Sequence, residues 1–265
     1  MAGAVVVVSL LGARWLFQSR PDPLGGAVAR PNRLAEEALV LAALAYLVAY
    51  TLLSGLAGVA GAEAHSGSRM LLGAGAQLGG MVACLVLARR HFEGGVRAFL
   101  WGPPGSERRR GIRWTLMLTL LAIGLCPIVL NATLAVIEYF RPGFDIAPHP
   151  TLRSMHEAGL PGWVHLALWG GAVVVAPLAE EFFFRGILQN VIGNLTGRRW
   201  VAIVGASAVF AGVHVAQPYA LPALFFLGVI LGFAYERTGM ILVPVAIHAA
   251  FNLKTMVWEA LLVSA

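Results

Sequence analysis

Long apolar stretches recur along this chain, and they constrain its fold more than any other feature of the sequence. Each holds about 18 or more residues with few charges, which is long enough to cross a hydrocarbon layer of about 30 Å as a helix. A soluble domain needs polar side chains to cover its surface, yet 58% of the 265 residues are hydrophobic and only 12% are charged. The sequence therefore predicts an all-α fold, a polytopic transmembrane helical bundle.

Seven of these stretches are predicted as membrane spans, and turn-forming sequences separate the last three. Pro127 is expected to kink the third span, and the fourth continues past Pro177. The spans cover residues 38–60, 70–88, 114–136, 163–194, 200–215, 221–235 and 241–263. A possible eighth, N-terminal membrane helix at residues 2–13 is only about half a span long, so it is expected to be partial or membrane-associated.

The chain is predicted to form a single integral membrane domain, because no polar block is long enough to fold separately. Residues 1–162 are predicted to form N-terminal membrane helices, and they contain no motif. Residues 163–265 form the C-terminal helices, which carry the chemically informative side chains. Cys84 and Cys126 both lie inside apolar stretches, so we expect them to pack in the interior rather than to form a disulfide framework.

The net charge of +6 raises the possibility of nucleic-acid binding. The arginines, however, lie beside apolar segments, where the positive-inside rule explains them, so no nucleic-acid partner is predicted. The connection at 89–113 is rich in arginine, whereas the one at 63–69 has a single Arg, so we place the first in the cytoplasm. Arginine almost replaces lysine, as in a GC-rich bacterium, and the predicted location is the bacterial inner membrane, with multiple passes.

Ionisable residues inside membrane spans are costly and are therefore candidate functional residues. Those of this chain gather in the C-terminal third, and a rise of 1.5 Å per residue places them at similar depths, about 12 to 21 Å from the cytoplasmic helix ends. Their four-residue spacing predicts an ion pair within one helix and a shared face on another. The candidate site residues are Glu180, Glu181, Arg185, His214, His248 and Asn252.

The order of the motifs adds a further signal. EEFFFR at 180–185, FAGVH at 210–214 and HAAFN at 248–252 resemble the EExxxR, FxxxH and HxxxN motifs of the CAAX prenyl endopeptidase and bacteriocin-processing (CPBP) family of intramembrane proteases. GVILGFAYERTG at 228–239 also resembles a helix and turn of that family. The resemblance implies a glutamate-dependent endopeptidase that hydrolyses a membrane-associated or prenylated-type peptide with activated water.

The resemblance also implies individual roles. Glu180 would be the general base that activates water, and His214 would help to hold that water. His248 and Asn252 would donate hydrogen bonds to the oxyanion that forms on the scissile carbonyl. Glu181 and Arg185, which are predicted to form an ion pair, would support the site. Glu180 is then left without a partner in its own helix.

The residues themselves leave other functions open. Glu180, His214 and His248 have the ligand chemistry of a zinc site, which would make the protease metal-dependent. Buried carboxylates and histidines also relay protons in transporters, and the same fold could serve as a non-proteolytic binding protein or chaperone. The simplest alternative is a set of polar contacts between helices. No metal or cofactor is predicted; the expected partners are the lipid bilayer and a peptide or protein substrate.

Overall fold

The structure is a computed structural model that describes residues 23–59, 66–103, 108–144 and 162–263. Within these ranges the chain is helical and contains no strand, which confirms the predicted all-α class. The candidate helix at residues 2–13 lies outside the described residues. The helices are α1 (Glu36–Val59), α2 (Ser66–His91), α3 (Gly95–Trp101), α4 (Arg108–Phe140), α5 (Gly162–Thr196), α6 (Arg199–Gly212), α7 (Leu221–Thr238) and α8 (Leu242–Val263).

Five helices of the described ranges are long and apolar enough to cross a membrane: α1, α2, α4, α5 and α7. The other two predicted spans correspond to α6 and α8, whose apolar stretches Arg199–Gly212 and Leu242–Trp258 are shorter. Helix α6 has 14 residues, about 21 Å at 1.5 Å per residue, which is less than the thickness of a bilayer core. It ends early because the chain turns after Gly212 and enters a short 3₁₀ helix, Pro218–Ala220.

The helices pack through small residues and apolar side chains. Helix α1 lies against α2, where a Cβ added to Gly75 would stand only 2.7 Å from the Leu53 side chain. Helix α4 packs against α7 and α8 through a buried apolar cluster that includes Leu118, Leu227 and Ile247. Cys84 and Cys126 are both buried free thiols, as expected for residues that pack in the interior.

Residues 23–35, which we call the N-terminal strap, cross one end of the bundle. The strap bonds to α2 through Arg33 N and His91 O (2.9 Å) and to α7 through Val28 N and Glu236 O (2.9 Å). It also accepts a hydrogen bond from Arg110 of α4 at Gly26 O (2.6 Å). The end of α2, the start of α4 and the end of α7 therefore lie on the same side of the molecule.

A tight turn lets the strap approach α7. Gly239 follows α7 with a φ of 69°, in the left-handed region where a side chain is strained. A Cβ at this position would also lie 2.7 Å from the Val28 side chain. Glycine is therefore needed here both for the backbone conformation and for the close contact.

Candidate active site

Helix α5 carries the EEFFFR motif in an unusual helical context. Two π-helical segments, Gly171–Val175 and Phe182–Gln189, flank the α-helical segment Ala176–Glu181 that ends with both glutamates. A π-helical turn shifts the backbone hydrogen bonds from four to five residues apart, and such turns occur frequently at functional sites. The two glutamates thus lie between two distortions of one continuous helix.

Pro177 explains how the first π-helical segment contacts α8. In this segment the N–H of Ala176 donates to the carbonyl of Gly171, five residues earlier. The same pattern would join residue 177 to Ala172, but proline has no N–H to donate. Asn252 supplies the missing donor, because its Nδ2 donates to the Ala172 oxygen at 2.9 Å. Asn252 is thereby held against α5 by the Ala172 carbonyl, which is free because Pro177 has no N–H.

Glu181 is the centre of the buried part of the site. Its Oε1 accepts hydrogen bonds from Arg185 Nη1 at 3.1 Å and from His248 Nδ1 at 2.8 Å. The Glu181 and Arg185 side chains are 0% and 1% exposed, so the predicted ion pair is confirmed. Arg185 also donates to the Gly228 carbonyl of α7 at 3.1 Å. Three helices are therefore joined through one carboxylate and one guanidinium.

Glu180 has a different environment from its neighbour. Its side chain is 21% exposed, and its Oε2 lies 3.9 Å from His248 Nε2, which is too long for a hydrogen bond. The Glu180 Oε2 atom is buried and has no hydrogen-bond partner among the described residues. A buried oxygen without a partner is costly, and such atoms occur where a ligand or a reacting group is bound.

His214 lies just beyond the end of α6, beside an aromatic wall. Its Nδ1 is 2.8 Å from the carbonyl of Phe210, and the two rings lie 5.1 Å apart. The same Phe210 ring is 5.7 Å from the His248 ring and 4.7 Å from the Arg185 guanidinium carbon. Phe210 is fully buried, and its ring packs beside both histidines.

The hydrogen-bond partners assign the tautomers of both histidines. A carbonyl and an ionised carboxylate only accept hydrogen bonds, so Nδ1 carries the proton in His214 and in His248. In the neutral form each ring then presents an unprotonated Nε2. His248 can donate from Nε2 only when the ring is protonated on both nitrogens.

The predicted site residues therefore form one connected group. Glu180, Glu181, Arg185 and His248 lie in direct contact or within ion-pair distance. Phe210 connects His214 to His248 and Arg185, and Asn252 lies one turn of α8 from His248 and contacts α5 at Ala172. Within the described ranges, no three His, Cys, Asp or Glu side chains lie close enough together to hold a metal ion.

Sequence reasoning missed two backbone groups of the site. The Ala172 carbonyl and the Gly228 carbonyl each accept a hydrogen bond from a motif side chain. Gly228 also packs closely, because a Cβ there would lie 2.9 Å from Ser207. Pro177 could have indicated the free Ala172 carbonyl, because a proline inside a helix leaves a carbonyl of the preceding turn without its backbone donor.

A second polar group lies farther along α5, beneath the strap. We call it the strap cluster, and its hydrogen bonds are largely satisfied. Glu236 Oε1 accepts from Arg30 at 2.6 Å and from Gln189 at 2.8 Å. Asn190 donates to the carbonyls of Arg185 and Gly186 at 2.9 Å each and to Tyr235 at 3.2 Å. The strap cluster comprises Arg30, Gln189, Asn190, Tyr235 and Glu236.

A comparison with known families matches the part of the chain that contains the candidate site. Residues 161–254 match the family model described as type II CAAX prenyl endopeptidase Rce1-like. This range contains all six predicted site residues. The resemblance predicted from the three motifs is thereby confirmed.

Individual relatives match over limited lengths. The membrane-embedded CAAX protease MroQ of Staphylococcus aureus is 32% identical over 93 residues, which cover 33% of this chain and 37% of MroQ. An uncharacterized protein, YyaK of Bacillus subtilis, is 29% identical over 119 residues, 41% of this chain and 39% of YyaK. The matched segments thus span about two fifths of each relative's length. No solved structure matches the chain significantly.

Proposed function

We propose that this integral membrane protein is a glutamate-dependent intramembrane endopeptidase of the Rce1-like type. It would hydrolyse a peptide bond of a membrane-associated substrate with a water molecule that Glu180 activates. Residues 161–254, which match the family model, contain every group that this reaction needs. The reaction uses no serine or cysteine nucleophile, because water itself attacks the peptide bond.

One observation carries the assignment of the base. Both carboxylates have a buried Oε2 atom without a hydrogen-bond partner in the described structure. They differ in that Glu181 Oε1 is bound by Arg185 and His248, whereas the Glu180 side chain is 21% exposed and lies 3.9 Å from His248. A carboxylate that already neutralises an arginine is a poor proton acceptor, and a free one is a good candidate base. Glu180 is therefore the glutamate that supports catalysis best.

The proposed reaction begins when Glu180 accepts a proton from the bound water. The water oxygen forms a bond to the scissile carbonyl carbon, and the electrons of the C=O bond move to its oxygen. When the carbonyl forms again, the C–N bond breaks and the leaving amine takes the proton from Glu180. His214 would hold the attacking water, because its free Nε2 can accept a hydrogen bond.

Asn252 and His248 would stabilise the oxyanion. Asn252 Nδ2 has two hydrogens, and the Ala172 carbonyl accepts only one of them, so the other is available to the developing negative charge. His248 would join it in the doubly protonated form, because Glu181 already accepts its Nδ1 proton. Arg185 and Glu181 would hold this histidine in place rather than contact the substrate.

We further propose seven crossings of a bacterial inner membrane, with the strap side in the cytoplasm. Helices α6 and α8 would complete the five longer spans, and α6 would begin at the cytoplasmic surface and end below the opposite one. The distribution of arginine supports this orientation. The end of α2 carries Arg89 and Arg90, and the start of α4 carries Arg109, Arg110 and Arg113.

A comparison of protein termini in membranes would test the activity. Membranes from cells that express the wild-type chain should contain new termini that are missing when Glu180→Gln replaces it. Glu236→Gln is the matched control, since it makes the same chemical change in a buried carboxylate of the strap cluster. If the three strains yield the same termini, the chain is not a protease in these cells.

Purified protein would separate the two kinds of protease. A glutamate-dependent enzyme keeps its activity in a strong chelator, whereas a zinc enzyme loses it and regains it with added metal. Retention of cleavage after exhaustive chelation is the expected result. Loss and zinc-dependent recovery would replace the proposed mechanism with a metal-dependent one.

A further inference from the structure

Access to Glu180 is blocked from the strap side of the bundle. Between the site and that end, α5 is buried continuously from Phe184 to Val191. The adjacent part of α7, from Ile230 to Thr238, is buried as well. The strap covers this region and ties Arg30 to Glu236 at 2.6 Å. In the described structure, a peptide could reach the site from this end only by displacing buried, hydrogen-bonded side chains.

Among the described residues, the opposite end is open by comparison. Helix α6 stops at Gly212, and Val213 and Val215 on either side of His214 are 60% and 68% exposed. A Cβ added at Gly171 or Gly212 would meet no atom within 4 Å. The only partly exposed glutamate of the site, Glu180, lies between these open segments and the buried part of α5.

The distribution of charge assigns these two ends to the two faces of the membrane. The strap side gathers most of the arginines of the described helices, whereas Arg69 lies near the other end of α2 and Arg141 directly follows the other end of α4. Arginine-rich ends face the cytoplasm. The open end of the site is therefore the extracytoplasmic one. Glu180 lies about 20 Å from the strap end of α5, which leaves about 10 Å to the opposite boundary of a 30 Å core.

From this placement we propose that the site receives its substrate from the extracytoplasmic half of the membrane. The substrate class is a peptide whose scissile bond lies at the outer end of an apolar segment, within about 10 Å of the hydrocarbon boundary. A prenylated C-terminus anchored in the cytoplasmic leaflet reaches the closed end and is not the substrate. This inference rests on the proposed peptidase function for its substrate, but the direction of access is independent of catalysis.

Cysteine labelling tests the direction of access without any need for activity. Val213→Cys, beside His214, should react with a membrane-impermeant maleimide added to intact spheroplasts and not with the same reagent added to inverted vesicles. Arg109→Cys is the control for the strap side and should show the reverse pattern. The native Cys84 and Cys126 are buried, so the wild-type chain supplies the background, and Val215→Cys serves if Val213→Cys fails to accumulate.

Several outcomes would overturn the proposal. They are labelling of Val213→Cys from the cytoplasmic side, labelling from neither side, and an Arg109→Cys variant that reacts from outside. The Glu180-dependent termini supply a second measurement, because the cleaved bonds should lie at the extracytoplasmic ends of apolar segments; cleavage at cytoplasmic ends contradicts the inference. If no such termini exist, the peptidase function fails, while the labelling still decides the direction of access.

Discussion

The strap cluster and the catalytic candidates differ in how completely their buried charges are paired. In the strap cluster, Glu236 Oε1 accepts two hydrogen bonds and Oε2 faces Arg199 Nε at 4.0 Å. In the site, Glu180 Oε2, Glu181 Oε2 and Arg185 Nε are buried without a hydrogen-bond partner in the described part of the chain, whereas the strap cluster has one such atom, the uncharged Gln189 Oε1. The strap cluster joins the strap to the helices through paired side chains. The site, in contrast, retains hydrogen-bonding atoms that can bind groups from outside the protein.

This contrast shows that burial of a charge does not by itself identify a catalytic residue. Each group contains a glutamate that accepts a hydrogen bond from an arginine. The same glutamate accepts a second hydrogen bond, from a glutamine in the strap cluster and from a histidine in the site. What distinguishes the site is a second carboxylate, Glu180, that the network does not neutralise. The following predictions are arranged to test that distinction, and they run from the largest expected effect to the smallest.

Glu180→Gln should abolish measurable turnover, a loss of up to about 10,000-fold, because a general base contributes up to that factor and no other free carboxylate lies in the site among the described residues. Thermal stability in detergent should stay close to that of the wild type, since Glu180 Oε2 makes no hydrogen bond in the described structure. Single-turnover cleavage of a fluorogenic membrane peptide measures the first quantity, and thermal unfolding measures the second.

The same change at Glu236 provides the control for that experiment. Glu236→Gln weakens a charge-assisted hydrogen bond to Arg30 and should cost about 1 to 3 kcal/mol of stability. Turnover per folded molecule should remain that of the wild type. If Glu236→Gln loses as much turnover as Glu180→Gln, the two clusters do not differ in function as we propose.

Arg185→Leu should destabilise the protein by about 3 to 5 kcal/mol, because it leaves the carboxylate of Glu181 buried and unpaired. Activity should fall as well, since Glu181 also positions His248. The measurement is thermal unfolding in detergent, with the rate of cleavage recorded on the fraction that stays folded. A variant with wild-type stability would contradict the structural importance of this ion pair.

Asn252→Ala should lower kcat by about 100- to 1,000-fold with little change in KM, because loss of one oxyanion donor affects chiefly the transition state. Weak activity should therefore remain, unlike in Glu180→Gln. Steady-state and single-turnover kinetics on the same peptide measure both constants. The proposed division of roles is wrong if Glu180→Gln cleaves faster than Asn252→Ala.

Pro177→Ala should have the smallest effect. The new backbone N–H can donate to the Ala172 carbonyl, where it competes with Asn252 and partly releases that side chain. We expect a moderate decrease in kcat, smaller than that of Asn252→Ala, without loss of thermal stability. In the double variant the Pro177 change should add nothing to the Asn252 change, since both act through the same hydrogen bond. Additive effects would show that Pro177 acts by another route.

The sequence alone determined the helical membrane class of the protein and predicted the residues of its candidate site. Apolar stretches long enough for a bilayer require helices, because a backbone in lipid must satisfy its own hydrogen bonds. The three ordered motifs sufficed to predict the candidate site residues and to identify the family that residues 161–254 match. A spacing of four residues also predicted the Glu181 and Arg185 pair, since that pair depends only on helix geometry.

The tertiary structure decided what those residues contact across helices. Nothing in the HAAFN motif indicates that Asn252 bonds to Ala172 or that His248 bonds to Glu181 instead of Glu180. The two π-helical segments of α5 and the early end of α6 were missed for the same reason. Local sequence sets helix periodicity, but the rotation, length and contacts of each helix depend on the packing of distant segments, and only that packing separates the free glutamate from the paired one.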